Sequence, residues 1–379
     1  MKILHLFSNW KWTGPAEPAV NLCRMLSGNH DTTFIPGGHP RSFKDNEVAA
    51  HAIEHGIEPV PGFHLEKHFH PLRNLEDVMK LRTFLHEREF DLIHTHMTND
   101  HFVAACALRT LGKRTPVVRS FYDPDGLANS IRARWMLRHF TQGALVITER
   151  ARTSLIDRNY LAAERVMVSP GGVDTERFDP TGVDRAAARS ALGVGAHEFL
   201  FVIVARMQRH RKFDVLLRAF KMACDVEEGL RLLIVGRGTH QEEVACQPVR
   251  ENGLSDKVIF SGYLRGNDFV NAVAAADCSL FMIPGSDGSC RAVREKMSLG
   301  LPVIASRMPP LDEIVDEGQT GFLVETIEAD LAGALLRAAR DRGATAAMGQ
   351  NARQKALAEY SLAVQAARVE ECYRTVMEK

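Results

Sequence analysis

Short apolar runs closed by turn-forming residues alternate along the chain with longer stretches whose apolar positions recur every three or four residues. The short runs predict strands over residues 2–7, 91–94, 116–120, 145–148, 166–169, 199–205, 231–235, 257–261, 278–283 and 302–305. The longer stretches predict helices over residues 16–26, 75–87, 101–111, 212–223 and 268–276. The strands are apolar nearly throughout, as in FLFVIVA at 199–205, which a parallel sheet covered on both faces requires. This alternation runs twice and stops in between, over residues 179–196, and residues 361–379 read as a helix-forming tail. The expected architecture is α/β, with two doubly wound Rossmann-like domains over residues 1–180 and 197–356 and a last helix, 357–379, returning to the first domain. In open sheets of this kind ligands bind beyond the carboxyl ends of the strands. Two such domains facing each other predict a cleft lined by the loops that follow strands.

The length of 379 residues suits two domains of ordinary size. Lys and Arg number 47, and so do Asp and Glu. That balance speaks against a nucleic-acid partner, whose binding calls for a basic excess. The seven cysteines are an odd number and include no C-x-x-C pair, so neither a disulfide framework nor a zinc module is expected. The apolar N-terminal run is broken by His5 and reads as a buried strand rather than a signal peptide. The longest apolar stretches fall far short of the ~18 residues of a spanning helix. A soluble, cytoplasmic protein is expected.

Candidate chemistry lies in loops after strands. In residues 281–306 a strand end, a small-residue loop and a helix opening near Ala292 follow one another, with Asp287 and Glu295 bracketing Gly288, Ser289 and Cys290. A helix start offers free backbone N–H groups to phosphates and sugar hydroxyls, and a carboxylate a turn inside, such as Glu295, can hold a ribose diol. An Asp287 that merely caps an ordinary helix is the plain alternative. In residues 202–212, VIVARMQRHRK, Arg206 follows a strand and Lys212 opens the next helix. Two such cations can neutralise a diphosphate without a metal, and Arg209 and Arg211 read as solvated. Gly14, in KWTGPA after the first strand, and Gly236, in LLIVGRG, each permit close approach of backbone to a ligand, or mark a plain β–α turn. His94 and His96, and the group His64, His68 and His70, lack metal-site spacing. No metal and no cofactor is expected, and loop histidines are read as hydrogen-bond donors to a sugar.

Taken together, these pieces resemble the family-4 retaining glycosyltransferases over nearly the whole chain. The matching segments are the Gly14 loop, Asp91 to His96 (D-x-x-H-x-H), Ser169 to Asp174 (SPGGVD), and Arg206 with Lys212. They continue through Val235 to Gly238 (V-G-x-G), Phe260 to Gly262 (F-x-G), and Asp287-x7-Glu295 followed by KMSLGLPVI. Two positions depart from the family pattern. Asp287 stands where the family has Glu, and Tyr122 where it often has His.

The resemblance implies a GT-B fold and a retaining, metal-independent transfer of a sugar from a nucleotide-diphosphate donor to a carbohydrate or lipid-linked acceptor. Arg206 and Lys212 would take the diphosphate, Glu295 the ribose, and Asp287, Gly288, Ser289 and Cys290 the transferred sugar. Arg291 stands beside that loop and would face an acidic group. Tyr122 or His96 would polarise sugar or acceptor hydroxyls. A sugar-nucleotide epimerase of the same architecture and a non-catalytic sugar-nucleotide-binding subunit are the rival readings. Residues 129–141, NSIRARWMLRHFT, interleave Arg132, Arg134 and Arg138 with Ile131, Trp135, Met136, Leu137 and Phe140. That pattern predicts peripheral contact at the inner membrane face, or else aromatics packed on the sheet with their arginines in water.

Overall fold

A computed structural model describes the chain except residues 40, 128–129, 285–289 and 379 and the side chain of Arg132. It divides into two units. The first holds residues 1–172 and the helix Leu362–Met377. Its parallel strands are β1 (Lys2–Phe7), β2 (Asp31–Pro36), β3 (Leu92–Thr95), β4 (Val117–Phe121), β5 (Gly143–Val146) and β6 (Val166–Val168), in the order β2-β1-β3-β4-β5-β6. The second unit holds β7 (Phe199–Val204), β8 (Leu230–Val235), β9 (Val258–Gly262), β10 (Cys278–Phe281), β11 (Val303–Ser306) and β12 (Gly321–Val324). Their order is β12-β11-β10-β7-β8-β9.

Alternation along each strand explains the continuous apolar runs. Phe199, Phe201 and Ile203 of β7 enter one core and Leu200 and Val202 the other, so helices cover both faces. In the first unit Val117 of β4 packs with Leu81, Leu85 and Leu108, while Val118 packs with Leu22, Val369 and Tyr373 on the opposite face. The helix Leu362–Met377 thus closes the second face of the first sheet.

Two strands escape the sequence pattern, β2 and β12. Both lie at sheet edges. β2 (DTTFIP) is polar in its first half and ends in proline, and β12 is only four residues long. Residues 179–196, expected as a break, contain the helix Arg185–Ala191 and are packed within the second unit. There the buried Arg189 donates to the carbonyls of Gly195, Glu198 and Ala275 and to Asp277 Oδ2.

Candidate active site

In each sheet the strand order reverses once, and that reversal point is where open α/β sheets hold ligands. In the second unit it falls between β7 and β10, which lie side by side. Both predicted motifs follow these two strands. After β7, Arg206 and Lys212 are exposed, and among the described residues neither forms an ion pair. Lys212 adopts the left-handed conformation (φ 58°, ψ 36°) at the start of the helix Phe213–Cys224. After β10, Cys290 adopts the same conformation (φ 47°, ψ 40°) at the start of the helix Arg291–Ser298. Neither helix has a side-chain cap, so the first-turn N–H groups carry no side-chain partner of that kind. Left-handed geometry at a non-glycine residue is costly and concentrates at functional sites.

The neighbouring loops hold this arrangement in place. A Cβ on Gly236 would lie 2.3 Å from the Ala205 carbonyl oxygen, and one on Gly238 2.0 Å from that of Met207. The glycines therefore let the loop after β8 press against the loop that carries Arg206. Arg209 is bidentate to Glu243, with both bonds at 2.8 Å. Arg211 is not the solvated residue the sequence suggests. It is half-buried and donates to the Ile283 carbonyl at 2.8 Å, and desolvation with the nearby Arg206 charge draws its pKa down.

Glu295 lies within the helix Arg291–Ser298, with Oε1 3.2 Å from Arg291 Nε and Oε2 3.4 Å from Lys296 Nζ. Lys296 is buried, and desolvation lowers its pKa against the pull of Glu295. Asp287, Gly288 and Ser289 lie outside the described residues.

In the first unit the structure joins His96 and Tyr122, with His96 Nδ1 2.7 Å from the Tyr122 hydroxyl. The other His96 nitrogen lies 3.1 Å from His5 Nδ1. Beside this pair, Ser120 Oγ lies 2.8 Å from His94 Nε2, and His94 Nδ1 meets the Tyr373 hydroxyl at 2.5 Å. Two hydrogen-bonded runs therefore form a polar chain across the middle of the sheet, His5–His96–Tyr122 and Ser120–His94–Tyr373, side by side where the rings of His94 and His96 stack. Burial holds His5 down to about 3 and keeps His94 and His96 well below the ordinary histidine value, so the rings are neutral. His5, His94 and His96 bring ring nitrogens within 4.8 Å of one another, close enough to hold a metal ion. Five of their six nitrogens are engaged in this chain, however, and the rings of His94 and His96 stack 4.3 Å apart. Those features fit a hydrogen-bonded relay better than a convergent ligand set.

Asp100 ties the loops beyond β1 and β3 together. Its carboxylate accepts from the backbone N–H of Ser8 at 2.8 Å and of Met97 at 2.9 and 3.0 Å. Burial pushes its pKa up to about 7. Gly14 sits half-buried in the turn before the helix Ala16–Leu26. Of the second histidine group, His64 pairs with Glu76 at 2.7 Å and His70 caps the helix Pro71–Glu87. Sequence reasoning missed His5, Asp100, Ser120 and Tyr373. The available signal was a histidine interrupting an otherwise apolar first strand.

Residues 14–177 match the family model described as Glycosyltransferase Family 4, and residues 184–355 the one described as Glycosyl transferases group 1. Two parallel six-stranded sheets with flanking helices make the chain a GT-B protein. It belongs to the family-4 glycosyltransferases. Curated relatives include D-inositol 3-phosphate glycosyltransferases from Saccharomonospora viridis (35% identity, 56% of this chain, 51% of that one) and Nocardia farcinica (31%, 65% and 59%). This chain thus spans about half the length of those relatives. A third relative is the Escherichia coli UDP-Gal:alpha-D-GlcNAc-diphosphoundecaprenol alpha-1,3-galactosyltransferase (23% identity, 80% of each chain). Among solved structures, Anabaena HepE in complex with UDP superposes with a TM-score of 0.79 at 21% identity, covering 99% of this chain and all of that one. A glycosyltransferase from Rickettsia africae gives 0.82 at 16% identity, covering 100% and 99%. At these identities the structural likeness concerns the fold.

Proposed function

We propose that the protein is a retaining glycosyltransferase that moves a sugar from a nucleotide-diphosphate donor to a carbohydrate or lipid-linked acceptor without a metal. The observation that carries this reading is the pair of exposed cations Arg206 and Lys212, without an ion pair among the described residues, at the strand reversal of the second unit, beside two helix starts without side-chain caps. Negative charge builds on the diphosphate as the glycosidic bond breaks. A guanidinium fork, an ammonium and helix N–H groups fixed in advance stabilise that charge without reorganising. The second unit carries no D-x-D sequence of the kind that would chelate a metal. In a retaining transfer the departing diphosphate oxygen accepts the acceptor's proton on the face it leaves, so the protein's task is positioning and charge stabilisation. Relatives named for transfer from UDP-Gal and to D-inositol 3-phosphate support a nucleotide-sugar donor and a hydroxylated acceptor.

The test is incubation with a panel of nucleotide sugars and acceptors in the presence of EDTA. Sugar transfer should persist, and Arg206→Ala should lower turnover at least ~100-fold. Epimerised donor would assign the chain to the epimerases, binding without turnover would make it a binding subunit, and metal-restorable loss in EDTA would overturn metal independence.

A further inference from the structure

The first unit exposes an unusual amount of apolar side chain on one helical layer. Phe69, Leu72, Leu75 and Met79 are 62, 69, 60 and 51% exposed. The last three recur at i, i+3 and i+7 of the helix Pro71–Glu87, which already buries Val78, Leu81 and Leu85 on its other side. Ile131 and Trp135, 83 and 52% exposed, form a second pair at i, i+4 on the helix Ile131–Phe140. Both helices cover the same face of the sheet. Val117 packs with Leu81 and Leu85, Phe121 packs with Leu137, and Val117 and Phe121 project from one side of β4. Single exposed apolar residues are ordinary, but a set of this size on one layer marks an interaction surface.

The charges around this layer select the partner. The carboxylates nearest the first stripe are already taken, Glu66 by Arg73 and Glu76 by His64. Lys67, Lys80 and Arg82 form no ion pair among the described residues. Residues 126–148, which include the second pair, contain no Asp or Glu at all, while Arg134 and Arg138 lie among them. The surface is therefore apolar with a cationic fringe. A symmetric contact with a second copy would set that fringe against itself, whereas an anionic bilayer accepts apolar side chains at its acyl boundary and cations among its head groups.

We propose that this helical layer docks on an anionic lipid surface, through Phe69, Leu72, Leu75 and Met79 together with Ile131 and Trp135. The sequence alone pointed only to residues 129–141, of which 129 and the Arg132 side chain lie outside the described residues. The segment carrying Phe69 and Leu72 also walls a cavity of about 320 Å³ lined by His39, Arg41, His64, Glu66 and Arg73. Docking brings that cavity to a head group held in the bilayer. This last step rests on the transferase reading above; the docking itself does not.

Co-sedimentation with phosphatidylglycerol–phosphatidylcholine vesicles tests the proposal, with phosphatidylcholine vesicles as control. Wild-type protein should bind the anionic vesicles, and binding should weaken as salt rises. The triple variant Leu72→Ser, Leu75→Ser, Met79→Ser, changed only at exposed positions, should bind at least ~10-fold more weakly. Wild type that stays in the supernatant overturns docking, as does a triple variant that binds undiminished. A dimer in sedimentation velocity that the same substitutions dissociate also overturns it, in favour of a second copy. Turnover of a water-soluble acceptor is measured in parallel. Vesicle binding without any transfer sinks the transferase reading and leaves docking intact, and transfer without vesicle binding does the reverse.

Discussion

His96 Nδ1 lies 2.7 Å from the Tyr122 hydroxyl, and the two rings stack with planes 13° apart. With its other nitrogen on His5, His96 is buried and fully engaged, whereas Tyr122 is only partly buried. Under the proposed function Tyr122 is the member of the pair that would meet a substrate hydroxyl, with His96 orienting it from behind. Tyr122→Phe should lower turnover roughly 100-fold. It should also cost about 1–3 kcal/mol of stability, because His96 Nδ1 loses its partner. Steady-state kinetics with urea unfolding separate the two effects, and full turnover in the variant would reduce the pair to a structural role.

The buried rings make the first unit sensitive to acid. His5 is held to about 3, and burial also keeps His94, His96 and His101 low. In the unfolded chain these rings take protons near pH 6.5. Their contribution to stability is therefore whole above that pH and is lost as pH falls towards the folded values. Asp100 works the other way. Raised to about 7, its contribution is present below ~3.9 and lost as pH rises through 7. Four rings outweigh one carboxyl, each changing stability by about 1.4 kcal/mol per pH unit in its window. The urea midpoint should fall from pH 7 to pH 5, more shallowly in His5→Met. A midpoint that is flat or rises on acidification contradicts this assignment.

What could be read along the chain, and what could not, divides by distance. Most strands announce themselves as apolar runs, edge strands β6 and β9 included, while β2 is polar through its first half and β12 is a four-residue run that opens on glycine. The candidate groups after β7 and β10 could be singled out from the sequence because each lies within one short segment. The polar chain of the first unit was not, because it assembles His5, His94, Ser120 and Tyr373, the last of these 279 residues beyond His94. Nor does composition reveal that Lys212 and Cys290 are left-handed, since that region favours glycine. Arg211 looked like surface charge until the fold set the Ile283 carbonyl opposite it.

Lys212 offers a separation of stability from function. Its left-handed backbone costs a non-glycine residue about 1–2 kcal/mol. Lys212→Gly should recover up to about 1 kcal/mol, once the added freedom of the unfolded chain is discounted. The same change removes a cation from the proposed diphosphate site and should lower turnover at least ~10-fold. A variant that is more stable and less active fits that role. One that keeps its activity would show that the ammonium does not touch the reacting phosphate.

Glu295 is asked to do two things, and they can be measured apart. Its carboxylate offsets the buried Lys296 and faces Arg291, and the proposed donor would add the ribose diol. Removing one partner of a buried pair costs roughly 3–5 kcal/mol when the other charge stays sealed in. The Glu295 side chain keeps 12% exposure and glutamine can still accept a hydrogen bond, so Glu295→Gln should lose less, about 1–3 kcal/mol. If Glu295 also holds the ribose, affinity for the free nucleoside diphosphate should fall ~10- to 100-fold, from lost bonds to a charged group. Calorimetric binding measured well below the unfolding transition reads the second effect without the first. Destabilisation with unchanged nucleotide affinity would leave Glu295 as the counter-ion of Lys296 and place the ribose elsewhere.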